Sequence, residues 1–219
     1  MESLEVISSI QSIYDNFSTL PNLRLHMLRV AAVGEQICDS WKGKGINKGD
    51  VVATLLLHDL GNIVVVDFDS SLGKKMLGGD RKRIKQWKQV KKSAVSRYGT
   101  DDHRATILMA GELGVSRRLM RILGEMSDLE FDVLASGDVE LKICFYSDLR
   151  VWPMGVTGLG HRLDDLKERH RISDKDYAKM KGDAFKIEEW IFGNASIRPG
   201  QINNKSVKGY IDRYGVLSV

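Results

Sequence analysis

Apolar residues recur with the period of an α-helix along most of this chain, and that periodicity is the strongest constraint on its fold. Residues 22–41 place their apolar side chains on one helical stripe, and two glycines follow at Gly43 and Gly45. Residues 63–68 form the best candidate for a strand, but a single strand has no partner to pair with, so we expect a buried connection there. Further helices are predicted at residues 51–60, 100–113, 117–126, 139–151, 173–192 and 206–214. We therefore predict an all-α fold. The residues expected to cap the later helices are Asp50, Thr100, Ser116 and Ser173.

The domain organisation follows from the length and from the absence of linkers. A chain of 219 residues, with 42% hydrophobic and 28% charged residues, is typical of globular proteins and can bury a core without a disulfide or a structural metal. It has three prolines, no internal repeat and no low-complexity linker. We predict one helical domain over residues 1–196 and a peripheral C-terminal arm over residues 197–219.

Neither a membrane span nor an export signal is expected. No apolar run approaches the length of about 20 residues that a span needs, and the N-terminus lacks a basic region followed by an apolar stretch. Cys38 and Cys144 stand far apart in apolar helical contexts, where a free thiol behaves as a small hydrophobe. A cytoplasmic location is the expectation.

The positive charge of the chain is concentrated in one segment. Residues 74–97 hold ten basic residues and one acid, Asp80, whereas the whole chain has a net charge of +4. Such a segment indicates either a site for phosphate-bearing partners or a solvated helix face.

Two polar residues, His58 and Asp59, follow directly on the apolar end of a predicted helix. Burying an imidazole and a carboxylate without partners costs several kcal/mol, and a divalent cation is one partner that satisfies both. His26 also lies among apolar helical residues, and Asp148 follows the apolar residues of a later helix. Two imidazoles and two carboxylates could converge on one cation and leave positions open for water and substrate. For each residue alone, the alternative is a core polar group satisfied by hydrogen bonds.

The order His26, then His58-Asp59, then Asp148, all on helices, resembles the HD superfamily of metal-dependent phosphohydrolases. The flanking residues 26–31 are similar to that family's first metal-binding helix, and the resemblance extends from about residue 23 to residue 150. It implies a single HD-type domain in which the four residues hold a divalent cation. Manganese, cobalt, magnesium, nickel, iron and zinc all remain open as its identity.

The resemblance also suggests catalytic residues besides Asp59. Many members carry Glu or Lys where this chain has Asn62, and an amide can orient water or substrate but cannot transfer a proton. In the nucleotidase-like branch a further acid lies eight residues after the aspartate of the pair, which is Asp67 here. Asp67 is therefore the candidate general acid, and its alternative role is to cap a loop or helix.

Four residues are candidates for substrate binding: His103, Lys74, Lys75 and Arg150. The helix that begins near His103 is similar to one that supplies an extra histidine in binuclear members, but we favour one metal with His103 facing the substrate phosphate. His161 and His170 lie in a charged helix and are interpreted as part of a solvated face.

Three functions follow as hypotheses. The first is a phosphohydrolase that acts on a nucleotide or another small phosphoester through a metal-activated water. The second is an HD-like iron oxygenase, which would need more histidines than we find. The third is a module that binds nucleic acid through residues 74–97. The expected partners are a small phosphorylated substrate, with nucleic acid less favoured, no membrane, and a homodimer as an open possibility.

Overall fold

α-Helices and one small hairpin make up the part of the chain that the structure, a computed structural model, describes: residues 10–127 and 136–214. Residues 10–16 are helical, and the helices that follow are α1 Pro21–Asp39, α2 Lys48–Leu57, α3 Ser71–Met76, α4 Ile84–Tyr98, α5 Asp102–Glu112, α6 Arg117–Ser127, α7 Val139–Asp148, α8 Leu159–His170, α9 Asp174–Gly193 and α10 Asn204–Arg213. Short 3₁₀ helices span Leu60–Val64, Gly78–Arg83 and Pro199–Gln201. The hairpin pairs β1 Val151–Trp152 with β2 Gly155–Val156 in antiparallel fashion. The all-α prediction is confirmed.

Helix starts follow local hydrogen bonding, and two of them differ from the sequence prediction. Ser173 caps α9 as predicted. Asn47 caps α2 in place of Asp50: its side chain accepts a hydrogen bond from the Asp50 amide, which places the Asp50 carboxylate in the first turn, where the helix dipole favours it. Asp101 caps α5 in place of Thr100 by accepting from the Arg104 amide.

Helix α1 lies at the centre of the core and packs against α2, α7 and α10. Its buried face includes Met27, Val30 and Val33. Close packing with α2 depends on Gly34, because a Cβ atom there would lie 2.4 Å from Cδ1 of Leu55. This crossing fixes the two helices that carry the first three residues of the predicted metal site.

The C-terminal segment covers one side of α1. In its described part, residues 197–214, Ile202 and Val207 are buried and Arg213 forms an ion pair with Glu35 at 3.0 Å. Residues 215–219 of the predicted arm lie outside the described residues. In the two described stretches of the chain, every helix is too short or too polar to cross a membrane.

The turn after α2 is seated directly on α5. The Gly61 amide donates to Oγ1 of Thr106 at 2.9 Å, and that hydroxyl donates to the carbonyl oxygen of Asp102 at 2.9 Å. A Cβ atom on Gly61 would lie 2.2 Å from the Asp102 oxygen, so only glycine permits this approach. The contact sets the position of the residues just before it, His58 and Asp59.

Replacing Gly61 by alanine should lower the free energy of unfolding by about 1–3 kcal/mol, because the added methyl group must push the turn away from α5. Urea denaturation followed by circular dichroism measures this change. Gly79→Ala is the matched control, since a Cβ atom there meets nothing within 4 Å. Equal losses of stability in the two variants would contradict the role assigned to Gly61.

Candidate metal centre and adjoining cavity

The four residues predicted to bind a metal lie where three helices meet. His26 belongs to α1, His58 and Asp59 follow the last residue of α2, and Asp148 is the last residue of α7. The structure brings their side chains together, although Asp148 stands far from the others in sequence.

The distances within this cluster are short. Nε2 of His26 lies 3.1 Å from Oδ1 of Asp148, and Nε2 of His58 lies 3.6 Å from the same oxygen. Ligand atoms of these three residues all lie within 4.8 Å of one another. Oδ2 of Asp59 lies 3.5 Å from Nε2 of His26 and 3.6 Å from Nε2 of His58. Two imidazole nitrogens and two carboxylate oxygens therefore face a common point.

The orientation of His58 is set by the end of α2. Its Nδ1 lies 2.7 Å from the Leu55 carbonyl oxygen, so in the neutral ring Nδ1 carries the proton and Nε2 presents a lone pair to the cluster. The hydroxyl of Tyr14 donates to the next carbonyl, that of Leu56, at 2.8 Å. These two side chains satisfy carbonyl groups that the end of a helix leaves without partners.

The imidazoles and carboxylates of this cluster shift one another's pKa values. Burial acts to lower the pKa of His58, but the carboxylates of Asp59 and Asp148 outweigh it and raise that pKa to about 9. Burial acts to raise the pKa of Asp148, but His26 and His58 hold it well below its usual range. Asp148 is therefore ionised, which is the form that binds a cation.

Two atoms in this cluster have no hydrogen-bond partner among the described residues. They are Nε2 of His58 and Oδ1 of Asp148, and both are buried. Leaving a buried polar atom unpaired costs about 1–3 kcal/mol, more when the group is charged. Imidazole nitrogen and carboxylate oxygen are ligands that divalent first-row metals accept. The residues present thus fit a divalent cation, which would partner both atoms.

Comparison with protein families agrees with this geometry, since residues 24–100 match the family model of the HD domain. Residues 24–100 form an HD domain. The match confirms the resemblance seen in the sequence, and HD domains are typical of a superfamily of metal-dependent phosphohydrolases. The matched residues of this HD domain include His26, His58 and Asp59, whereas Asp148 follows the match. No curated protein and no solved structure matches the chain.

A cavity of about 810 Å³ opens from the metal side of the HD domain. His26, Asp59 and Asn62 line it there. Its other walls come from α3, from the tip of the β1–β2 hairpin and from α8. A cavity of this size accommodates a small molecule rather than a folded partner.

The cavity lining also includes three residues that the sequence predicts to act on or bind the substrate: Asn62, Asp67 and Lys75. Oδ1 of Asp67 also accepts a hydrogen bond from the Asp69 amide at 2.9 Å, so the residue shapes its own loop as well. Lys74, the neighbour of Lys75, is exposed and lies outside the cavity lining.

Arg150 and His103, both predicted to bind substrate, lie outside the lining of this cavity. Arg150 is 3% exposed, and its guanidinium donates to the carbonyl oxygens of Thr157, Pro199 and Ile202. It is thus engaged in holding the hairpin and the C-terminal segment together. His103 is exposed on the first turn of α5, and the neighbouring Asp102 lines the cavity instead.

Sequence reasoning missed the far wall of the cavity. Trp152 and Met154 from the hairpin line it, together with Arg162, Arg169 and His170 from α8. The sequence interpretation placed His170 on a solvated face; it is exposed, and it also borders the cavity. The turn residues between Trp152 and Val156 could have indicated a hairpin, but nothing local indicates that it faces His26.

Replacing Asp148 by asparagine should remove the bound metal, with affinity falling at least about tenfold, because a neutral amide takes the place of an ionised ligand. Elemental analysis after dialysis measures metal content, and circular dichroism checks that the helices remain. Asp67→Asn is the matched control, since Asp67 lines the same cavity and is not part of the cluster of His26, His58 and Asp148. Unchanged metal in Asp148→Asn would refute this ligand assignment.

Proposed function

We propose that this protein is a cation-dependent hydrolase of small phosphoesters, with nucleotides as the favoured class. The observation that carries the proposal is that Nε2 of His58 and Oδ1 of Asp148 are buried without a hydrogen bond from the described residues, beside a cavity lined by His26 and Asp59. A cation would bind these two atoms, and the cavity has space for a small substrate beside it. The HD-domain match supports the same chemistry.

His26, His58, Asp59 and Asp148 would hold the cation. When bound, a divalent cation supplies Lewis-acid stabilisation of phosphoryl oxygens and lowers the pKa of water. Asn62 orients water or substrate through its amide, since it has no proton to transfer at neutral pH. Lys75, from α3, offsets negative charge on the substrate inside the same cavity.

Asp67 is the residue we assign to protonate the leaving-group oxygen. It lies in the cavity lining. Side chains of α4 hold the loop at residues before and after Asp67 in the sequence. Lys91 donates to the Val66 carbonyl oxygen at 2.9 Å, and Lys88 forms an ion pair with Asp69 at 2.7 Å. A general acid must be held close to the oxygen that it protonates, and these two contacts restrict the movement of the loop.

The apolar part of the cavity favours a substrate with an apolar or aromatic body. Val65, Leu72 and Met154 are large hydrophobic residues with exposed side chains, and all three line the cavity. Trp152 lies beside them, and its ring packs edge-on against His161 with the ring centroids 4.4 Å apart. Exposed apolar groups gathered in a cavity indicate a ligand that covers them, and a nucleobase fits that description.

The full chain should hydrolyse at least one member of a panel of nucleotides and other phosphoesters when supplied with Mn²⁺, Co²⁺, Mg²⁺ or Ni²⁺. Chelator should abolish the activity, because the ligand cluster then lacks its cation. Phosphate release measures turnover, and His58→Ala serves as the inactive control. A protein that binds stoichiometric metal and yet releases no phosphate with any metal would overturn the proposed function.

Asp67→Asn should lower kcat strongly on substrates with poor leaving groups and much less on nitrophenyl esters, because an activated leaving group departs without protonation. Steady-state kinetics on the two substrate types provide the comparison. If kcat falls equally on both, Asp67 acts through the shape of its loop rather than as an acid.

A further inference from the structure

Arg162 is a buried cation that the proposed chemistry does not use. It is 8% exposed, its NH1 donates to Oδ2 of Asp165 at 2.8 Å, and its Nε is buried without a hydrogen-bond partner among the described residues. The same side chain lines the cavity that adjoins the metal centre. Leaving this buried donor without an acceptor costs free energy. The ion pair with Asp165 alone does not account for that cost, because it leaves Nε unpaired.

Two further basic residues on α8 border the same cavity. Arg169 stands two helical turns after Arg162, on the same side of the helix, and His170 follows it. Arg169 shares Asp165 with Arg162, with its Nε 3.1 Å from Oδ1 of that carboxylate. Two guanidinium groups thus share one carboxylate, which leaves one positive charge at this wall of the cavity.

The acids that line the cavity lie on other elements. Asp59 and Asp67 come from the segment after α2, and Asp102 from the start of α5. Asp59 is assigned to the cation, so the end of the cavity beside His26 and Asp59, here called the metal end, would attract an anion through that cation. The α8 wall attracts an anion separately, through its guanidinium groups. The guanidinium fork suits phosphate or carboxylate oxygens, which it can bind through two parallel hydrogen bonds.

We propose that Arg162, with Arg169 and His170, forms a subsite for a second anionic group of the substrate, a phosphate or a carboxylate. The substrate is then a small molecule with the phosphoester at the metal end and another anion at the α8 end. This inference rests on the proposed function for the identity of the first group. The subsite itself is tested by binding, without turnover.

The probes are alkane-α,ω-bisphosphonates of increasing chain length, alkylphosphonates of matched length, and ω-carboxyalkylphosphonates. Isothermal titration calorimetry on the full chain with Mn²⁺ gives their dissociation constants. One bisphosphonate or carboxyphosphonate of suitable length should bind about tenfold or more tightly than its matched monophosphonate, as a charge-assisted contact predicts. Whichever series shows the gain identifies the second group as phosphate-like or carboxylate.

Arg162→Gln should abolish that gain and leave the affinity for monophosphonates unchanged. The variant should fold, because Asp165 keeps its ion pair with Arg169. Arg162→Lys should restore part of the gain, since it keeps the charge and loses the planar fork. Arg169→Gln provides a second test at an exposed position, and Arg171→Gln is the matched control, because Arg171 lies just beyond α8 and outside the cavity lining.

Failure of the subsite and failure of the proposed function give different results. Phosphoester turnover without any gain for a second anion overturns the subsite and leaves the proposed function intact. A gain that depends on Arg162 in a protein that hydrolyses no phosphoester supports the subsite and overturns the proposed function. A gain that survives both Arg162→Gln and Arg169→Gln, or no binding of any phosphonate, overturns the subsite.

Discussion

The fold is arranged around a cluster of two imidazoles and two carboxylates, which it holds together at the edge of a cavity. Nε2 of His58 and Oδ1 of Asp148 are buried where α1, α2 and α7 meet, and hydrogen bonds from the described residues do not satisfy these two atoms. Mutual attraction between imidazoles and carboxylates offsets part of this cost, and a cation would offset more. The last turn of α2 and the contact of Gly61 with α5 hold these groups in place.

Sequence reasoning succeeded where the signal is local. Helical periodicity predicts the helices because each buried stripe repeats within a few turns, and Ser173 shows that a capping residue can mark a helix start. His58 and Asp148 stood out because each is a polar residue at the end of an apolar run. Asn47 was missed as the cap of α2 because Asp50 lies within the same turn and is an equally good capping residue by type.

Sequence reasoning failed where the environment of a side chain depends on which distant segment packs against it. Arg150 follows Asp148 closely and shares its apolar context, yet its guanidinium donates to the hydroxyl of Tyr146 and to the carbonyl groups of residues 157, 199 and 202. Arg162 and Asp165 have the spacing of an ordinary surface ion pair, and only the fold shows that Arg162 is buried beside the cavity. No periodic pattern carries that information, because it lies in the placement of the hairpin and α8.

In the basic segment, residues 74–97, several charged side chains contact other parts of the fold or line the cavity, although the sequence alone would also suit a solvated surface. Lys88 and Lys91 reach back to the loop on either side of Asp67, and Lys75 and Arg81 turn toward the cavity. The cavity therefore has cations on two walls, from this segment and from α8, while the HD residues supply the acids at the metal end. A substrate that places an anion at each end gains from both regions of the cavity, whereas a neutral molecule of the same shape gains from neither. On the proposed function, charge would then act together with the apolar lining in determining which small molecules this cavity retains.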